Sequence, residues 1–360
     1  GEMLAIVFIT ALIALAFSFT NGMNDAANCI ASAVATKALS PKVAVAWSAF
    51  WIVSALFFFD LTVASTMGSG IVSENCIDVY VILSALLGSV LWVFFCSRCG
   101  LPISASHALI GGLIGPVWFV YGAKYLVMSG IIKTLAFIVI APLIGMIMGF
   151  VLNCLFLFLF RKCKARRTDR FFRVMQVISC AEFSMGFGAN DGQKTMGIIA
   201  VLLASACASN PDNAVLNFLY AEPHQAALAA GHTGFFVPLW LELLCYGLIA
   251  LGTVTGGWKV IRTLGDGLSK LTPMQGFCAE GSGAATLIMT ALFGIPVSTT
   301  HTITGSIIGT GLTRGVKSVK WVTAKNIVVA WVITIPAVLL ISGLIYLMMV
   351  NWFGAPVKVF

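Results

Sequence analysis

Gly22-Met23-Asn24-Asp25-Ala26-Ala27-Asn28 and Gly188-Ala189-Asn190-Asp191-Gly192-Gln193-Lys194 are two copies of one pattern, each set inside an otherwise apolar run. A second pattern also occurs twice. Pro102-Ile103-Ser104-Ala105-Ser106-His107-Ala108-Leu109-Ile110-Gly111 returns as Pro296-Val297-Ser298-Thr299-Thr300-His301-Thr302-Ile303-Thr304-Gly305, with Pro, Ser, His and Gly in register and a hydroxyl kept at Ser106 and Thr300. The two patterns come in the same order in each half. The chain is therefore a duplication, and a duplication governs the whole fold assignment.

The surroundings of these motifs are those of a membrane protein. Of 360 residues, 59% are hydrophobic and 9% are charged, whereas a soluble domain carries about a quarter charged residues. One soluble core cannot hide that much apolar surface, so lipid must be the solvent for much of it. Apolar runs occupy 3–36, 43–67, 79–97, 103–120, 130–160, 171–206, 225–252, 277–294, 297–312 and 321–349, the first and sixth interrupted by the Asn-Asp motifs. A spanning helix needs roughly 20 apolar residues. The runs lack the alternation of a lipid-facing barrel, so strands are not expected. The net charge of +8 sits in short breaks between runs rather than on a polar face. That is membrane orientation by Lys and Arg, with no nucleic-acid partner implied. Among ten cysteines only Cys96-Ser97-Arg98-Cys99 fits CxxC, and no second pair or nearby His completes a zinc set. Glu2 and the absence of a basic n-region argue against a cleaved signal peptide.

Charge then sets the topology. Segment 161–173 holds seven Arg or Lys against Asp169 alone, which predicts a cytoplasmic loop. Lys37 and Lys42, 259–270 and 314–325 are basic too, while the breaks with Glu74 and Asp78 or Asp212 and Glu222 are acidic. The run 171–206 would leave the cytoplasm and the run 3–36 would return to it, so the halves are inverted. The expected organisation is an all-α polytopic membrane protein with a first inverted repeat over 1–160, a basic cytoplasmic loop over 161–173 and a second inverted repeat over 174–360. Re-entrant helical hairpins are expected at about 79–120 and 277–312, and broken helices at the Asn-Asp motifs. Such inverted repeats mark secondary transporters.

An ionisable residue at membrane depth is costly and is a functional candidate by default. Asn24, Asp25, Asn190 and Asp191 supply oxygens, and a helix broken at the neighbouring glycines would add carbonyls, together a hard-cation site. A buried polar pair packing helices is the plainer alternative for either copy alone. Each Pro-x-Ser-x-Ser/Thr-His motif reads as a helix start with Pro at its first turn. Its free N–H groups and hydroxyls then suit an oxyanion. Ser104 and Ser106 would reach the anion from one hairpin, and Ser298, Thr299 and Thr300 from the other, unless they only cap helices. His107 and His301 lie one turn on and fit an anion donor, a proton sensor or a core residue equally. Arg98 would approach the anion or Asp25, or else lie at the interface. Glu182 and Glu280 are further cation or proton candidates, and Asn28 matches Lys194, three residues beyond Asp25 and Asp191 respectively. Lys194 is then an internal partner for Asp191. Phosphate cannot cross a low dielectric alone, so cations at Asp25 and Asp191 would make binding mutually dependent, which is symport.

At these residues the chain resembles the inorganic phosphate transporter (PiT) family. The match runs through Gly22–Asn28, 188–197 and both proline motifs, and covers nearly the whole chain. The resemblance implies two inverted repeats, usually a homodimer, that move inorganic phosphate with sodium ions or protons and no organic cofactor. Carried over by position, it implies a central site of Asn24, Asp25, Asn190, Asp191, Ser104, Ser298, Thr299 and Thr300. Glu280 matches a family carboxylate, whereas Trp51–Ser54 lacks the acid that animal members carry in that helix. The expectation is a multi-pass plasma-membrane importer, by default of a bacterial inner membrane, working by alternating access and not an enzyme. Sodium is placed at Asp25 and Asp191, with Asn28 and Glu280 assisting coupling. The rivals are a sulfate or other oxyanion symporter of the same fold, a passive channel, and an intramembrane serine hydrolase built on Ser104, His107 and Asp25.

Overall fold

Fifteen α-helices, joined in places by short 3₁₀ and π segments, make up most of the secondary structure of the computed structural model, which describes residues 2–67, 71–73, 76–231, 234–295 and 297–354. Glu74 and Pro296, on which parts of the sequence argument rest, lie outside the described residues. The helices are α1 (Glu2–Ala35), α2 (Pro41–Ser54), α3 (Thr62–Met67), α4 (Val79–Cys99), α5 (Ala105–Val120), α6 (Met128–Phe160), α7 (Ala165–Phe187), α8 (Gln193–Ser209), α9 (Ala214–Leu216), α10 (Glu222–Ala229), α11 (Leu239–Thr255), α12 (Trp258–Gly265), α13 (Pro273–Leu292), α14 (Thr299–Leu312) and α15 (Trp321–Phe353). Among the described residues five spans are long and apolar enough to cross a membrane, or six if α11 and α12, bent by 74°, count as one. At 1.5 Å per residue α1, α6 and α15 are each about 50 Å long, more than a hydrocarbon core needs.

The element order of the first half recurs in the second. The antiparallel helix pair α4–α5 corresponds to α13–α14, α6 to α15, and α1 to α7–α8. Isolated β-bridges Val72–Leu126 and Ser269–Val319 tie equivalent corners. The halves exchange partners: α5 packs along α15 and α14 along α6, while α1 packs on α11 and α7 on α2. Glycine permits each approach. A Cβ at Gly111 would lie 2.6 Å from Ile335 O, and one at its counterpart Gly305 would lie 2.0 Å from Pro142 O. Gly22 and Gly188 repeat the theme, with Ile249 O at 2.2 Å and Ile52 O at 2.6 Å from the added carbon.

This last observation corrects an expectation. α1 runs unbroken through Gly22–Asp25, and only the second motif departs from α-helix, as a π-turn over Gly188–Gly192. The motif glycines are there for backbone contact with a neighbouring helix, not to break their own. The basic segment 161–173 is likewise a turn only as far as Lys164; from Ala165 onward it is the first turns of α7. The run 225–252 is divided between α10 and α11, with Pro238 preceding the second helix. α13 begins at Pro273, four residues before the apolar run 277–294, where Thr272 and Gln275 form a reciprocal capping box.

Candidate functional site

α1 and α7 run antiparallel. The Thr36 hydroxyl donates to Gln176 Oε1 at 2.7 Å, and Arg173 donates to Thr36 O at 2.6 Å and Lys37 O at 2.8 Å, capping the C-terminus of α1. Moving back along α1 therefore means moving forward along α7. Eleven residues before Thr36, Asp25 comes to the level of Asp191. Asn21, Asp25, Asn28, Ser32 and Thr36 follow a 3–4 spacing and form one buried polar stripe on α1.

The hairpin tips close on this level from two sides. Ser104 is the N-cap of α5 and accepts the His107 N–H at 3.2 Å; Ser298 is the N-cap of α14 and accepts the His301 N–H at 3.2 Å. Both serines thus do the capping that sequence offered as the plainer alternative. The first-turn N–H groups of both helices have no acceptor within their helix, and the dipoles make each tip a positive end. The tips touch: Thr300 Oγ1 donates to Ile103 O at 3.0 Å, and the rings of His107 and His301 lie 4.7 Å apart, edge to face.

Between the tips sit two carboxylates, each on a residue about 1% exposed. The Thr299 hydroxyl lies 3.0 Å from Asp191 Oδ2 and 3.4 Å from Asp25 Oδ2, so one hydroxyl spans both acids. Asp25 Oδ1 also receives Asn24 Nδ2 at 2.8 Å and faces the Thr300 hydroxyl at 3.3 Å. Asn24 donates further to Ile103 O at 3.2 Å and accepts from Ser97 at 2.8 Å. Asn28 donates to Thr300 Oγ1 at 2.9 Å and Thr299 Oγ1 at 3.3 Å, leaving its own Oδ1 buried and unpartnered among the described residues. The backbone oxygens of the site are Ile103 O, Ile295 O and Val297 O. They belong to the hairpin tips and not to a broken helix as the glycines had suggested.

Lys194 is the residue that sequence undervalued. Its ammonium pairs with Asp191 as expected, and also donates to Ser106 Oγ at 2.6 Å and Val297 O at 2.8 Å, joining both tips. Those partners are 88 and 103 residues away in sequence, beyond any local pattern. Asn190 donates to Ile295 O at 3.5 Å, and its Oδ1 has no partner among the described residues. Asn24 has Ser97 for that purpose, but the matching position in the second hairpin is Ala291.

Glu280 forms a second polar nest two turns along the α1 stripe. It is fully buried, held by the Ser32 and Ser179 hydroxyls, the latter at 2.7 Å. Neither serine stood out in sequence. Arg98 and Glu182 do not belong to the site. Arg98 is exposed with its guanidinium 5.0 Å from the Phe94 ring centre, and Glu182 lies on the outer face of α7. The periodicity of a nearly all-apolar helix gives no azimuth, so sequence left both the site and the interface open for Arg98. His301 stacks on Trp331 at 3.8 Å and its ring nitrogens have no hydrogen-bond partner among the described residues. No hydrolase relay forms: Ser104 takes the backbone N–H of His107, and Asp25 bonds Asn24, Thr299 and Thr300. Among the described residues no cluster of His, Cys, Asp and Glu is arranged for a metal ion. An oxygen set of carboxylate, amide, hydroxyl and carbonyl suits a hard cation instead.

The family model described as "Phosphate transporter family" matches residues 21–167 and 160–342. A "Probable low-affinity inorganic phosphate transporter" of Rhizobium meliloti (strain 1021) is 46% identical over 345 residues, 95% of this chain and 97% of its own length. A protein of the same description from Bacillus subtilis (strain 168) is 34% identical over 351 residues, covering 96% and 97%. A solved structure described as "The sodium-dependent phosphate transporter" superposes with a TM-score of 0.82 at 23% identity, over 96% of this chain and 99% of that one.

Proposed function

The chain belongs to the phosphate transporter family, and from that premise we propose that it imports inorganic phosphate by symport with a monovalent cation through alternating access. It is a multi-pass membrane transporter and not an enzyme. The observation that carries the coupling is the single Thr299 hydroxyl spanning Asp25 and Asp191 between two helix N-termini. The helix ends attract an oxyanion, but two carboxylates beside them repel it. Phosphate is therefore held only when cations come between, and each ligand raises the affinity for the other.

In this account Asn24, Asp25, Asn190 and Asp191 hold the cation side. The first-turn N–H groups and hydroxyls at Ser104, Ser106, Ser298, Thr299 and Thr300 hold the anion, and Asn28 supplies an amide oxygen. Glu280 in its serine nest is the second stop for a cation moving along α1. The antiparallel course of α1 and α7 and the partner exchange support two inverted repeats over 1–160 and 174–360. The α4–α5 and α13–α14 pairs are the re-entrant gates. The basic turn and first turns of α7 over 161–173 are cytoplasmic by their charge, the membrane is the cytoplasmic one, and family resemblance supports a homodimer. Sodium, as named for the structural neighbour, and the proton are the two candidate coupling ions. Labelled phosphate uptake into proteoliposomes, with sodium and proton gradients imposed separately, tests the proposal. Saturable accumulation driven by one gradient is expected. Accumulation of sulfate instead of phosphate, or conduction without saturation, overturns it.

A further inference from the structure

The two half-sites share a scaffold but differ in charge. We infer that the Lys194 ammonium stands permanently where the first half-site binds a mobile monovalent cation, so that this chain carries one of its counter-cations covalently. The inference rests on the symport reading above.

Coordination is the argument. A lysine ammonium has three protons, and those of Lys194 go to a carboxylate oxygen of Asp191, the Ser106 hydroxyl and the Val297 carbonyl. Carboxylate, hydroxyl and carbonyl are the oxygen types a hard cation collects. No proton remains for an anion, so Lys194 acts here as an enclosed cation. Its side chain is 2% exposed.

The duplication supplies the control. Asn28 stands three residues past Asp25 as Lys194 stands three past Asp191. Its amide reaches the Thr300 hydroxyl, the counterpart of Ser106. Yet Asn28 is neutral, Asp25 forms no ion pair among the described residues, and Asn28 Oδ1 is buried without a partner. Asp25, Asn28 Oδ1, the Thr300 hydroxyl and Ile103 O therefore repeat the oxygen types that Lys194 gathers, with only the neutral donors Asn24, Asn28, Thr299 and Thr300 among them. Two carboxylates and one ammonium leave one negative charge, which one mobile cation neutralises.

The substitution Lys194→Asn makes the second half-site like the first. Phosphate binding to the purified, detergent-solubilised protein is titrated calorimetrically across a wide range of sodium at fixed pH and ionic strength. By linkage, the slope of log affinity against log sodium counts the sodium ions taken up with the anion. When the wild type couples to sodium, the variant is expected to exceed the wild-type slope by about one; when it couples to protons, the same excess is expected in the slope of log affinity against log proton concentration at fixed sodium. Equal slopes overturn the inference. The double variant Asp191→Asn/Lys194→Asn, which removes acid and ammonium together, is expected to keep the wild-type slope; an increase there also overturns it. If Lys194→Asn is too unstable to titrate, sodium is expected to raise its melting temperature more than that of the wild type, and no sodium-dependent difference overturns the inference. A parallel sulfate titration separates the two failures: if only sulfate binds, the phosphate assignment fails, and the sulfate slopes still decide the role of Lys194.

Discussion

The Asp25 half-site and the Asp191 half-site descend from one design and have parted at several places. Asn28 is neutral where Lys194 is charged; Ser97 satisfies Asn24 where Ala291 leaves Asn190 Oδ1 unpartnered; Glu280 on α13 has Leu86 as its counterpart on α4. What stayed equal is the close approach of backbones, through Gly22 and Gly188 or Gly111 and Gly305. Packing tolerates little change, because a Cβ at these points meets main chain that cannot move aside. Charge was free to diverge, and one half became a closed ion pair while the other holds a carboxylate with no ion pair among the described residues.

The sharpest way to break this comparison is to neutralise each acid in turn. Asp191→Asn strands the Lys194 ammonium in a dry interior and is expected to cost about 3–5 kcal/mol, read as a lower melting temperature of the purified protein. Asp25→Asn removes a buried charge that has no ion partner, and is expected to leave stability within about 1 kcal/mol of wild type or raise it. Equal destabilisation by the two would mean that the half-sites are electrostatically alike.

The glycine pair comes next. Gly22→Ala and Gly188→Ala each overpack a helix crossing and should lose about 1–3 kcal/mol, with Gly22 the worse because its added carbon lies 2.2 Å from Ile249 O against 2.6 Å for Gly188 and Ile52 O. Thermal unfolding in detergent checks both the loss and its order.

The duplication, the helical class, the α4–α5 and α13–α14 pairs and the residues facing one another at the centre were all legible in the sequence. Repetition marked them, and Pro-x-Ser is a local signal for a helix start. The pieces that escaped depend on distance or azimuth. Ser32 meets Glu280 from 248 residues away, and Lys194 reaches its hairpin partners from 88 and 103 residues away. Arg98 and Glu182 sit in apolar runs whose buried face no periodicity discloses. The glycines misled because one residue type serves both a helix break and a close crossing, and only the neighbour Ile249 tells which.

The smallest expected effect makes the first half imitate the second. Ser97→Ala leaves Asn24 Oδ1 buried without a donor, as Asn190 Oδ1 already is, and should cost about 1 kcal/mol in stability. Adding the hydroxyl on the other side, Ala291→Ser, is expected to return a similar amount if it reaches Asn190; the two melting temperatures are compared with wild type.

The account turns on Asp25 as the point where the mobile cation meets the anion. The direct measurement is labelled phosphate uptake by proteoliposomes holding wild type or Asp25→Asn at matched folded protein, under the gradient that drives the wild type. The account predicts that Asp25→Asn remains folded and loses gradient-driven accumulation. Accumulation at the wild-type rate by the folded variant would contradict it.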